Sequence, residues 1–227
     1  VRMSGNGLAF YQAHLARKGE TLRRVLRAWR AASLNGVFTR CTRVDVAADD
    51  IHKNDEAPLL TMQKIRNCVK NREFRSRLQA ERKLKRCVMD ISEDFSDVGD
   101  EEMGKTIYFG NRKSNLCCRF YDKLLEQRTN GDPVDDDVTS WIRCEFEFKD
   151  ARAMAVVNAY CDMSDEDFNK YMAEVFNNYI CFIKKNDINR SRCDIKRWWS
   201  EFIGTVKRSR LVIPKFKPST FSGSSDW

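Results

Sequence analysis

Hydrophobic and polar positions along this chain change period several times, and each change predicts an element. Val1–Ser4 reads as a short strand stopped by Gly5-Asn6-Gly7. Leu22, Val25, Leu26 and Trp29 then recur at helical spacing behind Thr21. That predicts an amphipathic helix capped by Thr21 and ended by Gly36, with Arg23, Arg24, Arg27 and Arg30 on its wet side. Phe38–Ala48 reads as a strand in which Arg43/Asp45/Ala47/Asp49 alternate with Val44/Val46/Ala48. A polar excursion from Asp50 to Pro58 follows, and residues 59–89 are helical in character.

Thr106–Phe109 and Leu116–Lys123 predict a hairpin around the turn 110–115. Trp141–Lys149 is a further strand, with Arg143/Glu145/Glu147/Lys149 set against Cys144/Phe146/Phe148. The remainder is helical: the Ala-rich stretch Asp150–Tyr160, a helix opened by a Ser164/Asp167 capping box, and a last one carrying Trp198, Trp199, Phe202, Ile203 and Val206. The prediction is an α+β fold: a mainly antiparallel sheet of about five strands, helices on its apolar face and charge on the other.

Composition narrows the chemistry. Of 227 residues, 41 are Lys or Arg and 33 Asp or Glu, a net charge of +8 that makes a polyanion the first partner to consider. Basic residues crowd positions 64–86, and an acidic stretch from Asp90 to Glu102 follows, read as a solvated acidic loop. No run of about 18 apolar residues predicts a membrane span, and no secretory signal opens the chain, whose start at Val1 inside a strand suggests an excised domain. Nine cysteines without a C-x-x-C pair, and His14 and His52 alone, argue against structural zinc and a disulfide framework. A reducing, cytoplasmic location is expected.

Period-two spacing puts Asp45 and Asp49, then Glu145 and Glu147, then Arg119, Tyr121 and Lys123, each on one side of its strand. One amphipathic sheet would bring the three sides together. Strand carboxylates suit Mg²⁺ or Mn²⁺, and a nearby tyrosine could attack a phosphate that such a cation polarises. Lys123 could favour the phenolate or bind the scissile phosphate, and Arg119 could hold a flanking one. Tyr108, in the partner strand, is the competing nucleophile. His52 reads as a solvated loop residue in preference to a metal ligand. Equally, strand tyrosines pack, and alternating Glu and Arg form cross-strand charge ladders. A non-catalytic basic DNA-binding module and a hydrolytic metal nuclease therefore stand as alternatives.

Several segments occur together in order: residues 1–7, Thr42–Asp50, Thr106–Asn115 with Arg119–Gln127, and Ile142–Lys149. In them the chain resembles the Rep_trans family, the replication initiation factors of staphylococcal-type rolling-circle plasmids and related conjugative-element relaxases. Leu8 stands where relatives often carry cysteine, and the His-hydrophobic-His pair of other nickases is absent. The resemblance implies a metal-dependent DNA strand transferase: it nicks one strand at an origin hairpin or in single-stranded DNA, stays joined to the 5′ phosphate through tyrosine, and leaves a 3′-OH. A conjugative relaxase of the same chemistry is the companion reading. Carried onto this chain, the resemblance makes Tyr121 the nucleophile, Asp45 and Glu145 the first metal ligands and Asp49 and Glu147 the next. It also implies Mg²⁺ or Mn²⁺, a homodimer, a host helicase partner, and no membrane. Residues 1–213 are expected to be the catalytic domain and 214–227 a flexible or truncated tail.

Overall fold

A computed structural model describes residues 5–35, 40–54, 56–78 and 106–208. The described residues divide into two units: residues 40–208 belong to one and the N-terminal helices to the other. The predicted strand at Val1–Ser4, the acidic stretch 90–102, Cys87, Gly36 and the tail 214–227 lie outside the described residues.

In the N-terminal unit, α1 (Gly5–Arg17) occupies sequence expected to break at Gly5-Asn6-Gly7. Twelve of its thirteen residues lie past Gly5, and the run from Leu8 to Arg17 holds neither glycine nor proline to interrupt it. Helix α2 (Leu22–Leu34) starts where expected: the Thr21 hydroxyl accepts the Arg24 amide at 3.2 Å. It ends two residues before the predicted glycine, with Asn35 as its C-cap.

The larger unit is built on an antiparallel sheet of β1 (Arg43–Lys53), β5 (Val138–Lys149), β4 (Leu116–Asp122) and β3 (Ile107–Phe109), in that order. Val46 faces Phe146 and Ala48 faces Cys144 across β1 and β5, so the apolar alternations coincide on one side. Strand β1 runs past the predicted end at Ala48, because Asp50 is satisfied inside the protein. Its carboxylate accepts the Leu60 amide at 2.7 Å and contacts His52 Nε2 at 2.9 Å. His52 is thus a half-buried strand residue, which corrects the solvated-loop reading.

Of the expected helical stretch 59–89, residues 79–89 lie outside the described residues, and in the described part the helix is α3 (Met62–Lys70). Arg72 takes a left-handed backbone (φ 55°) that ends the helix, and the chain enters β2 (Phe74–Ser76). β2 pairs with β6 (Ile180–Phe182), a short apolar run easily merged with the preceding helix. This makes six described strands in two sheets, where about five were expected.

Helix α4 (Lys123–Thr129) follows β4 directly, capped by Asp122, whose side chain accepts the Leu125 amide at 2.9 Å. Helix α5 (Asp150–Asp162) also follows its strand directly, without a side-chain cap. Ser164 opens α6 (Asp165–Tyr179) by accepting the Asp167 amide at 3.1 Å, as the capping box predicts. Helix α7 is Arg197–Arg208.

The core lies between the apolar sheet face and these elements. Phe74 and Phe182 of the small sheet pack edge-on against Phe109, and Phe182 also against Phe120 and Trp199. Phe146 stacks on Phe176 of α6 at 4.3 Å. Such aromatic pairs add about 0.5–1.5 kcal/mol each beyond the area they bury. Gly110, at the hairpin turn, has φ +84°, and a Cβ there would lie 3.0 Å from Leu78 Cβ. Only glycine fits both the backbone and the space. The eight described cysteines are free; Cys118 and Cys144 approach to 3.9 Å inside the core, where burial pushes the Cys118 thiol up and leaves it unreactive. Among the described residues no helix is long and apolar enough to cross a membrane.

Candidate active site

The other sheet face carries the predicted residues, and register decides which of them meet. On β5 the side chains of Arg143, Glu145 and Glu147 share the polar face. Tyr121 lies opposite Arg143, Arg119 opposite Glu145, and Tyr108 opposite Arg119. From the other side Asp49 lies opposite Arg143, and Asp45 opposite Glu147. The four strands therefore converge on Glu145 and Arg143 at the centre.

Tyr121 donates its hydroxyl proton to Glu145 Oε2 at 3.1 Å. Arg119 holds the other carboxylate oxygen, donating from Nε at 2.8 Å and approaching through Nη2 at 2.5 Å. Its guanidinium also covers the Tyr121 ring, 4.9 Å from the centroid. Arg143 forms a two-pronged bond to Asp49, 2.6 Å from Nε and 2.8 Å from Nη2. Tyr121 is only 8% exposed. Burial, and next the Glu145 charge, hold its phenol well above the usual tyrosine range, with Arg143 and Arg119 pulling the other way.

Lys123 approaches this group through Glu126, whose charge also acts on the Tyr121 phenol. The strand alternation that placed it beside Tyr121 stops at Asp122, which turns to cap α4. Lys123 begins that helix and pairs with Glu126 at 2.8 Å. Arg143 and Arg43 are residues that sequence reasoning passed over. Their alternation marked the face, but only strand order shows that Arg143 is central.

Oxygen donors suit a hard cation in kind, but the arrangement does not gather them. Glu145 is taken by Arg119 and Tyr121, and Asp49 by Arg143. Asp45 accepts Arg43 at 2.8 and 2.7 Å, and the same guanidinium reaches Glu147 at 2.6 Å, while Lys149 holds the second Glu147 oxygen at 2.8 Å. Among the described residues no three of His, Cys, Asp and Glu form a cation cage. As placed, each of the four carboxylates is bonded to a guanidinium group.

What this face can do without further groups follows from its charges. A phenol hydrogen-bonded to a carboxylate has an acceptor for its proton. Two guanidinium groups beside it can hold phosphate oxygens and the charge that grows on them during attack.

Comparison with known proteins places the chain. It is 30% identical over 125 residues to a candidate DNA relaxase, NicK, of Bacillus subtilis (strain 168), a match covering 55% of this chain and 35% of that protein. Its fold is similar to that of a rolling circle replication initiator protein from Geobacillus stearothermophilus, with a TM-score of 0.53 and 28% identity over 75% of this chain and 57% of that one. The chain thus spans about a third of the curated relative's length. The sequence pattern of the replication initiation factors matches residues 39–227, the whole of the sheet and its helices included. The chain therefore belongs to the Rep_trans family of replication initiation factors.

Proposed function

We propose that this protein nicks one strand of DNA by attack of Tyr121 on a backbone phosphate. The observation that supports the reading is the Tyr121–Glu145 hydrogen bond, flanked by Arg119 and Arg143 on adjoining strands. In the proposed step the Tyr121 oxygen bonds to phosphorus and its proton passes to Glu145. The bond from phosphorus to the 3′-oxygen breaks, and that oxygen leaves as a 3′-hydroxyl after taking up a proton. The product is a 5′-phosphotyrosine link, whose energy allows the strand to be rejoined later. Arg119 is placed to exchange Glu145 for a phosphate oxygen when DNA arrives, uncovering the phenol ring.

The names of the relatives support rolling-circle replication initiation, or the relaxase activity of the same chemistry, as the setting. A homodimer and a host helicase partner are proposed on the family's account alone. Mg²⁺ or Mn²⁺ dependence belongs to the proposal as well. No step here is routed through a cation, since the carboxylates are bonded to arginines.

The test is mass spectrometry of the protein after incubation with hairpin and single-stranded DNA, with chelator, Mg²⁺ or Mn²⁺ in separate reactions. A covalent oligonucleotide adduct on Tyr121, lost in Tyr121→Phe and kept in Tyr108→Phe, is the expected result. An adduct undiminished in Tyr121→Phe would move the nucleophile to Tyr108. One specific observation favours a second reading, a non-catalytic charge ladder: every carboxylate of the face has a cationic partner. That reading predicts DNA binding with no adduct under any of the three conditions.

A further inference from the structure

Charge also gathers away from the Tyr121 face, around the small β2–β6 sheet. Phe74 and Phe182 turn toward the large sheet, so the alternate residues Arg75 and Cys181 share the other face of the small sheet, with Cys181 buried beneath Arg75. There a cleft of about 390 Å³ is lined by Arg75, Arg77, Asn177, Asn178, Ser191 and Glu174 over buried Cys181. Because β2 and β6 pack on the apolar side of the large sheet, the cleft and the Tyr121 face lie on opposite sides of one core.

The chemistry of the lining is that of a donor set. Arg75 is anchored, donating from Nη1 to the Ser191 carbonyl at 3.2 Å and from Nη2 to Cys181 Sγ at 3.3 Å. Its Nε is a buried donor with no acceptor. Arg77 is exposed, and its guanidinium has no partner among the described residues. Asn177 Oδ1 accepts the Trp199 indole N–H at 3.0 Å, which leaves its amide NH₂ to offer.

The adjoining loop adds to the charge. Lys184, Lys185, Arg190 and Arg192 are exposed, and none is ion-paired among the described residues. Its two carboxylates are engaged locally, Asp187 with the Asn189 amide at 2.6 Å and Asp194 with Asn186 at 2.6 Å. Only Glu174 opposes an anion in the cleft.

We propose that this cleft binds backbone phosphate of DNA, at a point on the substrate distinct from the scissile one. The choice of DNA as the polyanion rests on the nicking proposal. Unpaired cations with an orphan N–H suit phosphate oxygens, and a cleft without aromatic lining gives bases nothing to stack on. The contact is therefore one of position and affinity, independent of sequence.

The test measures equilibrium binding of a fluorescent, random-sequence duplex by anisotropy across a series of KCl concentrations, using the full chain carrying Tyr121→Phe so that no covalent link forms. Adding Arg77→Ala is expected to weaken binding roughly five- to tenfold at low salt and to lower the slope of log K against log salt by about one phosphate contact. Arg77→Lys should restore most of the slope, and Glu174→Gln should tighten binding by removing repulsion. Arg77 is exposed, so a folding defect is not expected; circular dichroism verifies it. An unchanged slope and affinity in Arg77→Ala would overturn the proposal. Adduct formation is scored separately on the unsubstituted chain. Its absence there would remove the nicking reading while the salt slopes still decide the fate of the cleft.

Discussion

Asp49→Asn separates two accounts of the carboxylate face. The change removes one charge and keeps the shape, leaving Arg143 beside a neutral amide. In the native arrangement Asp49 and Arg143 share two hydrogen bonds of 2.6 and 2.8 Å, with side chains 23% and 16% exposed. Breaking a fully buried pair from one side costs about 3–5 kcal/mol. With about a fifth of each side chain in water, screening reduces that to about 2 kcal/mol. For a chain of this size the melting temperature should fall by about 4–8 °C. The assay is thermal unfolding by circular dichroism at neutral pH without divalent ions, for Asp49→Asn, Arg143→Met and the double variant. The double should be less destabilised than the sum of the singles, since the partners share one interaction. A change within about 0.5 kcal/mol, or a gain in stability, would refute the reasoning. A gain is what a carboxylate held for a cation would give, because its removal relieves repulsion among Asp45, Asp49 and Glu145.

The Tyr121 phenol titrates above its usual range, so its contribution to stability is complete below the reference value of about 10 and is lost as pH rises through the higher folded value. Alkaline titration of tyrosinate absorbance should show one late-ionising tyrosine that moves to lower pH in Glu145→Gln; no movement would detach Glu145 from the phenol. Asp50→Ala strips acceptors from the Leu60 amide and from His52, and should cost about 2–3 kcal/mol in urea unfolding. A loss under about 0.5 kcal/mol would show that water replaces the carboxylate without penalty.

The strands that build the face were legible because period-two alternation is a local property: Asp45/Asp49, Arg119/Tyr121 and Glu145/Glu147 each announce a common side. Their convergence depends on strand order, which alternation does not encode. β5 lies between β1 and β4 in space although it follows both in sequence. Lys123 lies on a helix and not on the strand, because alternation continues on paper past Asp122 while the chain follows the cap. The pairing of each carboxylate with an arginine was hidden for a related reason. Arg43 and Arg143 read as ordinary members of a ladder until strand pairing brought the first diagonally to Glu147 and set the second opposite Asp49 and Tyr121. The loss of helix after Lys70 was also unreadable, since a basic, polar stretch has no period that separates a turn and short strand from a helix. His52 misled in the opposite sense, looking solvated while a neighbouring carboxylate carried it indoors.

The close approach of Gly110 to Leu78 ties the turn of the Tyr121 hairpin to the segment that runs out of β2 past Arg77. Leu78 sits where a side chain at position 110 would stand, and the aromatic core fills the space between their sheets. The distance between the tyrosine and the cleft is thereby fixed by packing, as the jaws of a caliper are fixed by a locking screw. A nucleic acid that engages both must have the contour length to travel around the core from one side to the other. The protein would then gauge how much strand lies beside a cleavable phosphate, a measure of length that requires no reading of bases.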